Sequence, residues 1–200
     1  MTVVIGLTGS IGMGKTLVTA QFAALGAKTC NADDIVHGLL AQGGAAVAEV
    51  GAQFPGVVKD GAVDRQALGK IVFADGEKRK LLEGIIHPKV IAAEEAFVAR
   101  AKAEGVKFVV LDIPLLFETG GDKRFDKTVV VSAPHFIQRK RVLRREGMTE
   151  EKFARILASQ MPDKEKRQRA DFVVQTGFGR GYSLWQVRRI VGLVCHPERM

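Results

Sequence analysis

Gly9-Ser10-Ile11-Gly12-Met13-Gly14-Lys15-Thr16 is the stretch on which the fold turns. A glycine, four residues and then Gly-Lys-Thr is the spacing of a phosphate-binding P-loop. Thr2 to Leu7 before it is mostly apolar and β-prone, as a buried first strand should be. Thr16 to Leu25 after it places Val18, Phe22 and Leu25 at helical spacing. Strand, glycine-rich loop and helix, in that order, are the context the motif needs. Gly9, Gly12 and Gly14 permit backbone conformations that a Cβ would block. The loop amides, Met13 and Leu17 included, then converge on an anion, helped by the positive end of the following helix. Lys15 reaches the β- and γ-phosphates of a nucleotide, and the Thr16 hydroxyl ligates Mg²⁺. The expected ATP-binding set is Gly9, Gly12, Met13, Gly14, Lys15, Thr16 and Leu17. The alternative is a glycine-rich turn with a chance lysine.

Two hundred residues, 46% of them hydrophobic, suffice for one α/β domain with a lid or an insertion. Cys30 and Cys195 lie far apart, with no metal-ligand spacing around either, which fits a reducing, cytoplasmic setting. The N-terminal apolar run is too short for a signal or a membrane span. The net charge is +8, and eleven Lys/Arg against five Asp/Glu fall between Arg139 and Arg169. Only Phe153 interleaves that basic region. Phosphate clamping is therefore better served there than base stacking, and no nucleic-acid or membrane partner is expected.

The remaining elements read as follows. Lys28 to Asn31 is a second strand, and Asp33 follows its C-terminal end, where parallel sheets carry their chemistry. Asp33 either accepts a proton from an attacking hydroxyl or caps the helix of Ile35, Val36, Leu39 and Leu40. Residues 38 to 105 look helical, with no strong strand. His87-Pro88 marks a bend before a long helix from about Lys89 to Ala103. Val106 to Asp112 is a buried third strand ending in a carboxylate placed to sit near Mg²⁺. Pro114, Leu115 and Leu116 form an apolar loop that either receives a substrate's non-polar part or tucks into the core. Lys127 to Ser132 is the fourth strand. Ala133-Pro134 opens a helix running to Gly147, with Arg141 and Arg145 four apart on one face. These two arginines either serve a transferring phosphoryl group from a lid or form a solvated basic face. Asp171 to Gln175 is the fifth strand, Ser183 to Val194 a closing helix, and the tail from Cys195 is expected to fray.

Several stretches together resemble the dephospho-coenzyme A kinase family. They are Gly6 to Thr16, Ala32-Asp33 with Ile35, His87-Pro88 and Asp112 to Glu118. Gln138 with Arg141 and Arg145, Gln160-Met161-Pro162, Lys166 and Arg169 to Val173 complete them. The resemblance implies a P-loop NTPase fold: a parallel five-stranded sheet flanked by helices, with an inserted helical substrate domain and a helical lid. Its parts are a core of 1–33, 106–135 and 171–200, an acceptor subdomain of 34–105 and a lid of 136–170. The implied activity is transfer of the ATP γ-phosphoryl group to the ribose 3′-hydroxyl of dephospho-coenzyme A by a monomer using Mg²⁺. Lys15, Asp33, Arg141 and Arg145 fall on catalytic positions. Asp33, His87, Pro114, Leu115 and Leu116 fall on the acceptor side, Thr16 on the metal, and Gln175 to Gly177 near the adenine. Asn31 stands where the family usually has a second carboxylate, and Gln175-Thr176 where an Asp-Asn pair is frequent.

Three other readings compete. A nucleoside or nucleotide kinase has similar architecture. A P-loop switch is disfavoured by the lack of an Asn-Lys-x-Asp stretch. A nucleic-acid-binding protein, suggested by a pI near 9.7, is disfavoured by the sparse aromatics.

Overall fold

The computed structural model describes residues 2–195, so the expected fraying of the tail beyond Cys195 lies outside the described residues. The chain packs as two compact units, 1–30 with 100–200, and 31–99. Residues 136–170, expected as a lid, belong to the first of these.

The first unit is built on β1 (Val3–Thr8), β2 (Lys28–Asn31, whose last residue is assigned to the second unit), β5 (Phe108–Asp112), β6 (Lys127–Ser132) and β7 (Phe172–Gln175). The five strands stand in the order β2-β5-β1-β6-β7. The pairs β1–β5, β1–β6 and β6–β7 are parallel. β1, β5 and β6 are buried along nearly their whole length. That is why they read as unbroken apolar runs instead of alternating ones. Helices α1 (Lys15–Ala24) and α9 (Arg180–Cys195) lay Val18, Phe22, Val187 and Ile190 against Ile5, Val110, Val129 and Val174. α6 (His135–Leu143), α7 (Glu150–Ala158) and α8 (Asp163–Arg169) follow β6. Register pairs Leu7 with Asp112, so the carboxylate ending β5 stands beside the strand that feeds the glycine-rich loop.

The second unit holds α2 (Ala32–Leu40), α3 (Val47–Gln53), α4 (Arg65–Ala74), most of α5 (Gly76–Ala103) and the two-residue strands β3 (Val58–Lys59) and β4 (Ala62–Val63). It has its own core around Val50, Phe54, Leu68, Ile85 and Ile86. The short antiparallel β3–β4 hairpin interrupts a stretch that reads as helical, with no strong strand, in the sequence. Asp60 and Gly61 at its tip have φ of 50° and 75°, the left-handed values of a tight hairpin turn.

One expectation and one of two alternatives fail here. His87-Pro88 does not divide two helices; α5 continues through both residues, with Pro88 inside it. Pro88 removes the bond to the carbonyl of Gly84. Gly84, His87 and Pro88 all face solvent, so the freed Gly84 carbonyl is open to water and is not a buried orphan. Ile85 and Ile86, anchored in the core on the opposite side, hold the helix continuous. Nor does the Asp33 side chain cap α2. Asn31 does so, its Oδ1 accepting the Asp33 N–H at 2.9 Å. The Asp33 carboxylate is left exposed in the first turn, and the amide at 31 has a local purpose.

β7 is fastened to β6 by Asp171, whose Oδ2 accepts the Thr128 N–H at 2.7 Å and the Thr128 hydroxyl at 2.8 Å. Partial burial raises the Asp171 pKa, but the Thr128 bonds and nearby Lys127 outweigh it and hold the carboxyl below its ordinary value. A carboxyl so depressed stabilises the fold fully above its ordinary pKa, and that contribution fades as pH falls through the lowered one. Asp171→Ala should cost about 1–2 kcal/mol at pH 7, since it strands a buried amide while the carboxylate's outer edge is already solvated. Urea unfolding should show this gap from wild type shrinking below about pH 4.

Candidate active site

The loop between β1 and α1 is shaped by its surroundings as much as by its glycines. A Cβ at Gly9 would lie 2.7 Å from the Val131 carbonyl oxygen, so β6 passes too close for any side chain. Gly12 and Gly14 take φ of 76° and 94°, and Gly14 forms the left-handed N-cap of α1. Met13 is buried in the first core, with its sulfur 3.1 Å from the Ala133 N–H. Among the described residues, the amides of Gly12, Gly14, Lys15 and Thr16 donate to no protein acceptor. Four such donors at the start of a helix are a receptor for a polyanion. Thr16 is exposed in the first turn, while Leu17 is half-buried and its amide is spent on the Gly14 carbonyl at 3.1 Å.

The Lys15 ammonium pairs with the buried carboxylate of Asp112. Thr19, one turn along α1, sets its hydroxyl 3.1 Å from Asp112 Oδ2 and 3.1 Å from the Lys15 carbonyl. Thr19 was not singled out from the sequence, although its i+4 spacing from Lys15 is a signal that could have found it.

Arg141 does not point freely outward. Half-buried on α6, it donates to the carbonyls of Gly12 at 3.4 Å and Met13 at 3.3 Å. It also reaches the hydroxyl and the carbonyl of Thr176, each at 2.8 Å. Arg145 is not on the same helix face, because α6 stops at Leu143. Val142 is the last residue there to reach the core, and Lys140, Arg141, Arg144 and Arg145 would crowd like charges if the helix ran on. Arg145 sits exposed in the following turn.

In the loop after β5, Leu116 and Phe117 are buried, and Leu115 is 42% exposed. The Leu116 side chain therefore belongs to the core, leaving Pro114 and Leu115 on the surface. Thr8 ties this loop to β1 by donating to the Pro114 carbonyl at 3.0 Å. Glu118 Oε1 lies 2.8 Å from the ammonium of fully buried Lys166 and accepts the Met161 N–H at 2.9 Å. Arg169 covers the Phe117 ring, its guanidinium 5.0 Å from the centroid. In the second unit, Asp33 and His87 are both exposed, on α2 and α5.

A parallel sheet whose first strand feeds a free-amide loop, a lysine and a threonine defines a P-loop kinase. The model of the dephospho-CoA kinase family matches residues 3–178, and the chain belongs to that family. It is similar to the dephospho-CoA kinase of Agrobacterium fabrum, 52% identical over 96% of this chain and 97% of the relative. The one from Paramagnetospirillum magneticum is 57% identical over 82% and 77%. A solved dephospho-CoA kinase from Campylobacter jejuni superposes with a TM-score of 0.74 at 27% identity, covering 99% of this chain and all of that one.

Replacing Lys15 removes a cation from the anion receptor and leaves Asp112 buried without its counter-charge. Lys15→Met should lower kcat/KM for ATP by about 10²–10³-fold and cost about 1–3 kcal/mol of stability. Adding Asp112→Asn should recover most of the stability and none of the turnover, measured by urea unfolding alongside ADP release.

Proposed function

We propose that this protein transfers the γ-phosphoryl group of ATP to the ribose 3′-hydroxyl of dephospho-coenzyme A, giving coenzyme A and ADP. The observation that carries this reading is the loop with four unengaged amides and Lys15, within a chain that belongs to the dephospho-CoA kinase family. The amides of Gly12, Gly14, Lys15 and Thr16 hold the ATP phosphates, and Lys15 leaves Asp112 to neutralise the β- and γ-oxygens. Asp33 accepts the proton of the acceptor hydroxyl as its oxygen bonds to phosphorus and the bond to the ADP oxygen breaks. Arg145, exposed on the segment after α6, is the lid arginine we assign to the transferring group. Arg141, bound to the loop's carbonyls, supports it from behind.

Mg²⁺ fits the residues present. The Thr16 hydroxyl is exposed beside the free amides, and the Asp112 carboxylate lies at the end of the adjacent strand. Among the described residues no three His, Cys, Asp or Glu side chains are grouped to hold a metal, so the cation would arrive on the phosphates. When bound, it would neutralise oxygen charge on the β- and γ-phosphates. Pro114, Leu115, His87 and Asp33 are the residues we assign to dephospho-coenzyme A. Among the described residues no helix is long and apolar enough to cross a membrane. We place the protein in the cytoplasm, acting as a monomer on small molecules.

ADP release should appear with Mg·ATP and dephospho-coenzyme A, and not with AMP, CMP or adenosine. Turnover with a nucleotide alone would transfer the protein to the nucleotide kinases. Asp33→Asn should lower kcat at least tenfold with ATP binding nearly intact; a near-normal kcat would remove Asp33 from the role of base.

A further inference from the structure

The loop's amides face an anion only if its carbonyl oxygens face away. A trans peptide places C=O and N–H on opposite sides of one plane. The Ile11 carbonyl and the Gly12 N–H share a plane, as do the Met13 carbonyl and the Gly14 N–H. Each of these carbonyls is held from outside. Gln138 Nε2 donates to the Ile11 carbonyl at 2.8 Å. Arg141 and Thr176 bind the Met13 carbonyl, the Thr176 hydroxyl at 2.5 Å. On the other side of Ile11, its N–H donates to Gln160 Oε1 at 3.1 Å.

Ser10 to Met13 is a β-turn closed by the Met13 N–H on the Ser10 carbonyl at 3.2 Å. Gly12 has φ of 76°, and Ile11 is not among the positive-φ residues, which makes this a type II turn. Rotating the Ile11–Gly12 peptide converts type II into type I. That rotation would swing the Ile11 carbonyl oxygen into the anion receptor and take the Gly12 N–H out of it. Glycine at the third position offers little resistance.

We propose that Gln138 and Gln160 are positioning residues that lock this turn in its anion-receiving form, Gln138 as an obligatory donor and Gln160 as an obligatory acceptor. Gln138 comes from α6 and is 3% exposed; Gln160 follows α7. The amide orientations are dictated by Ile11, whose N–H can only donate and whose carbonyl can only accept. An ionised carboxylate can replace Gln160 but not Gln138, where it would set charge against a carbonyl oxygen.

The proposal rests on the P-loop reading of the site, and its test separates the two. Gln138→Leu, Gln138→Glu, Gln160→Leu and Gln160→Glu are compared by KM for ATP, KM for dephospho-coenzyme A and kcat. Amide exchange at Ile11 is followed in the same four proteins. At position 160, Glu should keep Ile11 protected and hold KM for ATP within about threefold of wild type, while Leu loses protection and raises it about tenfold. At position 138 the order inverts, Glu being worse than Leu. KM for dephospho-coenzyme A stays within twofold throughout. Equal losses from both Glu variants would mean that added charge alone matters, and would overturn the proposal. So would Gln160→Leu with normal kinetics and a protected Ile11 amide. Should Gln138→Leu not fold, the two Gln160 variants decide the matter. Wild type that binds ATP but ignores dephospho-coenzyme A would overturn the acceptor assignment while the exchange result still judged the lock.

Discussion

Peptide planarity is the constraint on which the rest of the site depends. A loop cannot turn its N–H groups inward without turning its carbonyls outward, and outward carbonyls need donors. The protein supplies those donors from elements distant in sequence: Gln138 and Arg141 on α6 and Thr176 just after β7. Strand β6 enforces glycine at position 9 by its proximity. The loop is therefore held in tension by the sheet's β6–β7 side and the helices that follow β6. The anion receptor is a property of that whole assembly.

Two ion pairs each bury a charge in the first unit. Lys15 answers Asp112 at the mouth of the loop, and Lys166 answers Glu118 behind the loop after β5. Such pairs gain little net stability, since desolvation offsets much of their attraction, but breaking one is costly. Their value here is geometric. The first holds the Lys15 ammonium against the end of β5, beside the free-amide loop. The second fixes the Pro114 to Glu118 loop to the middle of α8 through Lys166 and to the segment preceding α8 through the Met161 N–H. The net basic balance of the chain thus includes cations that act as fasteners within the fold.

Much of the fold was legible in the sequence because burial on both faces leaves an unmistakable apolar run, and β1, β5 and β6 carry one. The glycine-lysine-threonine spacing named the loop for the same kind of reason: few other backbones need three glycines there. Local rules failed where tertiary packing outweighed them. Pro88 breaks isolated helices, yet Ile85 and Ile86 anchored α5 across it. Asp33 has good capping chemistry, but Asn31 stood two residues earlier at the end of β2. Arg141 and Arg145 are four apart, but α6 ended between them, so one arginine became a support for the loop and the other stayed in solvent. Glutamines carry no sequence signal of their role, because an amide serves equally on a surface and in a lock.

The sequence by itself determined the sheet's apolar strands, the left-handed positions in the loop and the cation beside them. Each of these is dictated by neighbours a few residues away through backbone sterics or hydrophobic period. Only the tertiary structure decided which polar side chains satisfy the loop from behind. Gln160 bonds across 149 positions to Ile11, and Thr176 across 163 to Met13. No local rule encodes such a pairing. It exists because the folded sheet brings those backbone groups out of water, where an unanswered carbonyl or amide costs more than ordering the side chain that answers it.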